Sequence, residues 1–459
     1  MLLTAVAGAG KSVIAHTIAK ECATKGVLLS SFFFVAREQS QPTLLFSDMA
    51  RSLAVKSMDH RNIIISTLEG DPKLATASFT TQFKALVQAP LRFKPLSSEK
   101  PMVVIIDALD ECDSGSFNAL ADILREEIPR LPSSIKFFVT SRQVDHVDRY
   151  LTPDSVQRLT IDLAGEVNVQ DCEIYVRSQL ERLSKTHPKS EISTVLAKDI
   201  TSRADGLFIW ISTIFNYLEG RSGDPMVTLR KLLDTGASRE GVPAEKMMDG
   251  LYASILERCD WDDDDFKHDY PIVLGAILAS ERPLSMVAWD LILSPFLRST
   301  VERTVLELSS LLTGIHEPQA PIRILHQSFR DFIVDRAAGG KRYIVETQKG
   351  HERMALRCFQ IMNAELPGVE DLGKILSLGE KDPLPAIPHL TEQLRYASRH
   401  AHAHARVVDT RPEDLELAAR AFLDGGITKW IELCVRTEGY ISIASFPDWV
   451  RVGSAILVF

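Results

Sequence analysis

Over the first 160 positions, apolar residues fall in short runs separated by stretches long enough for helices. The runs at 2–6, 27–35, 102–106, 135–140 and 156–161 read as buried strands. Met102-Val103-Val104-Ile105-Ile106 shows no polar alternation, the pattern of a strand covered on both faces and therefore of a parallel sheet flanked by helices. Strands separated by helix-length segments imply right-handed β-α-β crossovers. The predicted fold class is α/β, followed by an all-α part.

The strand signal fades from about residue 168. Val169, Cys172, Val176, Leu180 and Leu183 are spaced 3, 4, 4 and 3 apart, one face of a helix, and Leu207, Trp210, Ile211, Ile214 and Leu218 repeat the pattern. Positions 220–243 read as a connection plus a short helix, and a second helical unit starts near Lys246. Further on, 272–279 predicts an apolar helix, Arg282-Pro283-Leu284 a turn, and 285–293 another helix. Ser299 and Glu302 have the spacing of a capping box that opens a third. Two short strands, 311–315 and 322–325, complete the pattern of a winged helix. Residues 345–459 read as further helices without an internal repeat.

Length and composition narrow the class. At about 150 residues per domain, 459 residues make roughly three domains. A 45% hydrophobic and 25% charged composition argues against disorder or a fibrous rod. The balance of 52 basic and 61 acidic residues, −9, offers little of the phosphate attraction that drives non-specific nucleic-acid binding, so no nucleic-acid partner is expected. Six scattered cysteines without a C-x-x-C pair exclude a zinc ribbon and predict reduced thiols. No apolar run reaches the roughly 18 residues of a membrane span, and the N-terminus has no basic segment of a signal peptide. The expected compartment is the cytoplasm.

The chemistry concentrates at three places. Ala5-Val6-Ala7-Gly8-Ala9-Gly10-Lys11-Ser12 fits a phosphate loop with alanine for the first glycine, between a predicted strand and a helix at 13–22. In such a loop, glycines let successive backbone N–H groups curl around phosphate oxygens at a helix N-terminus. Ala7, Gly8, Ala9, Gly10, Lys11, Ser12 and Val13 are the expected nucleotide contacts, with Lys11 on the β- and γ-phosphates and the Ser12 hydroxyl on Mg²⁺. Alanine suits position 5 only at negative φ; a Cβ at positive φ costs about 1 kcal/mol. Asp107 emerges from the end of the strand 102–106, where an α/β sheet places its ligand crevice, and suits Mg²⁺. Asp110 and Glu111 suit polarising an attacking water. Arg142, just past the strand 135–140, can reach a γ-phosphate or serve as a surface ion-pair partner.

These elements, with Phe32-Phe33-Phe34, Asp107-Ala108-Leu109-Asp110-Glu111, Thr140-Ser141-Arg142, Gly206-Leu207-Phe208-Ile209-Trp210 and Leu325-His326-Gln327-Ser328-Phe329-Arg330-Asp331-Phe332, occur in an order that resembles fungal-type NACHT proteins of the STAND class of P-loop NTPases. Nephrocystin-3-like N-terminal domains belong to that group. The resemblance runs from residue 1 to about 440. It implies a nucleotide-binding domain at 1–165, a small helical domain at 166–245, a winged-helix domain at 246–340 and a C-terminal helical domain at 341–459. It further implies an ATP/ADP switch with slow hydrolysis, closed with ADP and self-assembling with ATP, in immune-like, incompatibility or cell-death signalling. By the same resemblance Lys11 and Ser12 contact phosphate, Asp107 holds Mg²⁺, Asp110 and Glu111 are catalytic, Arg142 senses the γ-phosphate and His326 touches the β-phosphate of ADP. The chain departs from the family in beginning at the phosphate-loop strand, in lacking the proline two residues after Gly206, and in showing neither an effector domain nor a repeat array. It therefore reads as a minimal or incomplete member, and the alternative function is a nucleotide-binding scaffold that does not cycle.

Two further clusters read as structural. Asp260-Trp261-Asp262-Asp263-Asp264-Asp265 lacks the glycine and distal glutamate of a calcium loop and reads as a solvated helix start. His400 and His404 have helical metal-ligand spacing but no acidic or cysteine ligand beside them. The segment from Glu281 to Arg303 carries three acidic and three basic residues, not the basic stripe of a DNA reader.

Overall fold

A computed structural model describes residues 1–35, 42, 45–94, 101–151, 156–186, 194–219, 224–235, 243–336, 342–369, 372, 389–409 and 412–437. The chain forms two compact units, one of Met1–Phe215 with Glu240–Glu245, the other of Asn216–Arg239 with Lys246–Phe459.

The first unit is built on a parallel five-stranded sheet: β1 (Leu2–Ala5), β2 (Leu28–Phe33), β3 (Met102–Asp107), β4 (Ile135–Arg142) and β5 (Arg158–Thr160), in the order β2-β3-β4-β1-β5. The unbroken apolar runs have their expected cause, because successive side chains enter two different cores. Leu2, Phe32, Val104, Ile106, Phe137 and Val139 pack on one face with Phe46, Met49 and Leu53 of the helix Leu45–Lys56. Leu3, Ile105 and Phe138 pack on the other against Ala15 and Ala19 of the helix Lys11–Thr24, whose small residues bring it close to the sheet. The α/β prediction holds. The fifth run does not behave as predicted: β5 has three residues, β1 as its only neighbour among the described residues, and Leu159 53% exposed, so it is an edge strand instead of a buried one.

The second unit is mainly helical. The helices Asp264–Ala279, Met286–Leu293 and Val301–Glu307 precede an antiparallel hairpin of β6 (Leu312–Thr313) and β7 (Arg323–Ile324), the element order read from the sequence. The aspartate run starts a helix, with the Asp263 side chain accepting from Asp265 N–H. The predicted capping box at Ser299 is corrected, since Thr300 caps the third helix by accepting from Arg303 N–H. The Ser299 hydroxyl donates to Asp269 at 2.7 Å. That buried carboxylate also accepts the amides of Arg298 and Ser299, and it outcompetes a solvent-facing cap for the hydroxyl.

Among the described residues the hairpin is followed by the short helix Gln327–Asp331 and by the longer helices Thr347–Glu365, Glu392–Val407, Glu413–Gly425 and Ile427–Thr437; residues 370–371, 373–388, 410–411 and 438–459 of the predicted helical region lie outside the described residues. His404 is fully buried: its Nδ1 lies 3.0 Å from Nδ1 of His351, its Nε2 2.8 Å from the Tyr396 hydroxyl, and that hydroxyl accepts from Glu281 N–H. None of the six cysteines forms a disulfide, and among the described residues no helix is long and apolar enough to cross a membrane.

Candidate functional site

Strand register brings the sequence-predicted groups of the first unit to one edge. Ala5 pairs with Arg142 and Ile106 with Val139, so the loop after β1, the acidic turn after β3 and the end of β4 share the carboxyl edge of the sheet. Because β4 lies between β1 and β3, its last residues can reach both neighbours.

Ala5 ends β1 fully buried, and it is not among the residues with positive φ, so alanine carries no strain there. The left-handed conformations fall on Gly8 (φ 84°) and Gly10 (φ 86°), where a side chain would be strained. Gly10 stands at the N-cap of the helix Lys11–Thr24, so the amides of that first turn open toward the loop. Lys11 is buried and folds back along the loop, its Nζ donating to Ala5 O at 3.1 Å and Val6 O at 2.9 Å. Burial pulls the ammonium down to about pKa 8; Asp110, Asp107 and Glu111 oppose the shift and Arg142 adds to it. Ser12 and Val13 are exposed on the following turn.

The acidic turn is tied to β4 residue by residue. The Thr140 hydroxyl donates to Asp107 Oδ1 and accepts from Ala108 N–H at 3.0 Å, and Ala108 sits at φ 55°. Non-glycine residues rarely adopt that conformation, and the threonine holds the chain in it. Asp110 Oδ1 accepts Arg142 N–H at 2.8 Å and the Ser141 hydroxyl at 3.3 Å, while Oδ2 accepts Arg142 Nε at 2.7 Å. Asp110 is therefore the seat of Arg142, a charge-assisted pair with side-chain exposures of 5% and 27%. Glu111 is half-buried at the end of the 3₁₀ turn Leu109–Glu111. Sequence reasoning quoted Thr140 without assigning it a task; a hydroxyl directly after Phe137-Phe138-Val139 was the available signal.

Asp107 and Ser12 offer a carboxylate and a hydroxyl, the hard oxygen donors that magnesium prefers. The residues fit a magnesium–polyphosphate in their donor chemistry and in the neighbouring cation Lys11. Among the described residues no group of three His, Cys, Asp or Glu side chains is placed to hold a metal by itself, and a magnesium ion there would need phosphate and water oxygens to complete its six ligands.

His326 belongs to the second unit. There it caps the short helix Gln327–Asp331, Nδ1 accepting from Ser328 N–H at 3.1 Å and lying 2.7 Å from the Ser328 hydroxyl, which meets the Tyr252 hydroxyl at 2.8 Å.

Residues 1–142 match the protein family described as Nephrocystin 3, N-terminal. No curated protein matches the chain significantly. The chain is similar to the Aeropyrum pernix ORC1 protein solved in complex with DNA, at 12% identity and a TM-score of 0.30 over 72% of this chain and 85% of that one. It is similar to a single-residue variant of Thermotoga maritima RuvB at 15% identity and a TM-score of 0.27, covering 73% and 87%. For the Drosophila ORC bound to DNA the values are 13% and 0.27, covering 73% and 91%. The sheet and the glycine–lysine loop establish a P-loop NTPase-like, nucleotide-binding fold in the N-terminal part of the chain, whose residues 1–142 are similar to the Nephrocystin 3, N-terminal family.

Proposed function

We propose that this chain is an ATP/ADP switch of the NACHT/STAND kind, a slow ATPase whose hydrolysis sets the balance between a closed form and a self-assembling form in immune-like or cell-death signalling. The four-part division at residues 165, 245 and 340, with a winged helix as its third part, belongs to this reading. The observation that carries it is the convergence of Lys11, Asp107 and the Asp110-held Arg142 on one edge of the sheet, beside a loop with two left-handed glycines.

The chemistry follows from these residues. Loop amides and the Lys11 ammonium bind the polyphosphate, and a charged Lys11 exchanges its two loop carbonyls for phosphate oxygens of higher charge. Magnesium, held by Asp107 and Ser12, would draw charge from the β- and γ-phosphates. Glu111 accepts a proton from the attacking water, while Asp110 holds Arg142. Arg142, oriented through Nε, distinguishes a γ-phosphate from its absence.

Mass spectrometry of the gently purified chain is expected to find ADP or ATP, and single-turnover assays with labelled ATP to show slow release of phosphate. Tightly held nucleotide that never turns over would establish the scaffold alternative, and no adenine nucleotide at all would refute the reading. The ADP role of His326 is tested by affinity. A hydrogen bond to phosphate is worth about 1.5–3 kcal/mol, so His326→Ala is expected to weaken ADP about ten- to a hundredfold while ATP affinity stays near wild type. Loss of the helix cap alone would lower the melting temperature and leave the ADP-to-ATP ratio unchanged.

A further inference from the structure

The first turn of the helix Phe208–Glu219 lies against the phosphate loop, within the same compact unit. Ile209 N–H donates to Gly8 O at 3.2 Å. A Cβ built on Gly8 would stand 2.0 Å from Ile209 Cγ2 and 2.9 Å from its Cβ, so the isoleucine branch rests directly on the glycine. The Phe208 ring reaches Gly10 more loosely, 3.7 Å from where its Cβ would be.

The turn leading into this helix is itself fixed. Gly206 has φ 77°, and a Cβ there would meet Leu163 O at 2.4 Å and Asn168 Nδ2 at 2.6 Å. Asn168 Nδ2 donates to Leu163 O at 2.9 Å and to Gly206 O at 3.1 Å. The entry to the helix is thus anchored, and its second amide, which has no partner inside the helix, finds one in the loop.

We infer that Ile209 is a positioning residue for the phosphate loop, its amide and its Cβ methyl together holding the Gly8–Ala9 peptide in the one orientation the loop uses. Peptide planarity carries the argument: with the Gly8 carbonyl drawn to Ile209 N–H, the Ala9 N–H of the same trans unit points the opposite way. Ala9 N–H is one of the loop amides that the proposed function places on phosphate, so this inference rests on that reading for its effect on nucleotide. Its effect on the loop itself needs no nucleotide.

The test uses the full chain and six variants, Lys11→Ala among them. The contact atom is the methyl on Cβ, which valine keeps and leucine, of isoleucine's size, lacks. Ile209→Val is expected to bind ATP and ADP as wild type, whereas Ile209→Ala and Ile209→Leu weaken both by about tenfold. Gly8→Ala is expected to lose more than about a hundredfold, and Gly8→Ala with Ile209→Ala to regain about tenfold of it, because the second change removes Ile209 Cγ2, the nearer of the two atoms the first collides with, while the Cβ contact and the positive φ remain. Without nucleotide, hydrogen exchange at residues 8–12 rises in Ile209→Ala and Ile209→Leu but not in Ile209→Val. Equal affinity and exchange in all three Ile209 variants, or losses in the double variant that simply add, overturn the inference. If those results appear while Lys11→Ala still abolishes binding, the nucleotide reading stands alone. If wild type binds no nucleotide, that reading falls and the exchange data decide this one.

Discussion

Lys11→Ala is expected to lower ATP and ADP affinity by at least about a hundredfold, measured by calorimetry at pH 7. The ammonium would contribute two charge-assisted hydrogen bonds at about 1.5–3 kcal/mol each, and about 1.4 kcal/mol is a factor of ten. Wild-type-like affinity would remove the site. The pH dependence carries a sign of its own. Burial holds Lys11 near pKa 8, below its ordinary 10.5, and the charged form grips phosphate. Nucleotide affinity is therefore expected to fall as pH rises through about 8, and Lys11→Arg, which keeps its charge, to lose that dependence. Stability runs the other way. Between about 8 and 10.5 the unfolded chain holds the proton that the folded lysine has released, so the stability of the nucleotide-free chain gains with pH across that window. Thermal melting at pH 7 and about pH 9.5 checks this against Lys11→Met, in which the gain disappears.

The second large effect is on turnover. Glu111→Gln is expected to bind ATP within a few-fold of wild type and to hydrolyse it about 10²–10⁴ times more slowly, the usual contribution of a positioned proton acceptor. Asp110→Asn has a different signature, because its oxygens hold Arg142 in place through Nε and the main-chain amide. It is expected to weaken ATP more than ADP, since only ATP presents the phosphate that the seated guanidinium meets. Undiminished hydrolysis in Glu111→Gln would move the proton acceptor elsewhere, and equal losses for both nucleotides in Asp110→Asn would break the link to Arg142.

The sheet was legible in the sequence wherever a strand is covered on both faces. Residues 102–106 carry no polar position, and that strand announced itself through that alone. At an edge the reading fails: Val156, Leu159 and Ile161 suggest a buried strand at 156–161, yet polar Gln157, Arg158 and Thr160 stand between them and β5 leaves Leu159 half in solvent. The loop was legible because its chemistry is contiguous, with glycines at the two positions of positive φ and lysine next to the second. What stayed hidden depends on sheet order. The sequence offers Asp110 and Glu111 as a pair of acids; only β4 lying beside β3 turns one of them into the seat of Arg142. Likewise no local pattern ties Ile209 to Gly8, about two hundred residues away, or directs the Ser299 hydroxyl to Asp269 instead of to its own helix.

In the second unit, the backbone amide of Glu281 opens a chain of buried polar contacts that runs through Tyr396 and His404 to His351. It can only donate, so the Tyr396 oxygen receives it, and burial keeps that hydroxyl from ionising. The Nδ1 atoms of His351 and His404, 3.0 Å apart, share one hydrogen, so one of them donates and the other must be bare. The two imidazoles are thus held to complementary tautomers across a helix interface, and a hydrogen on both Nδ1 atoms would set hydrogen against hydrogen at its midpoint.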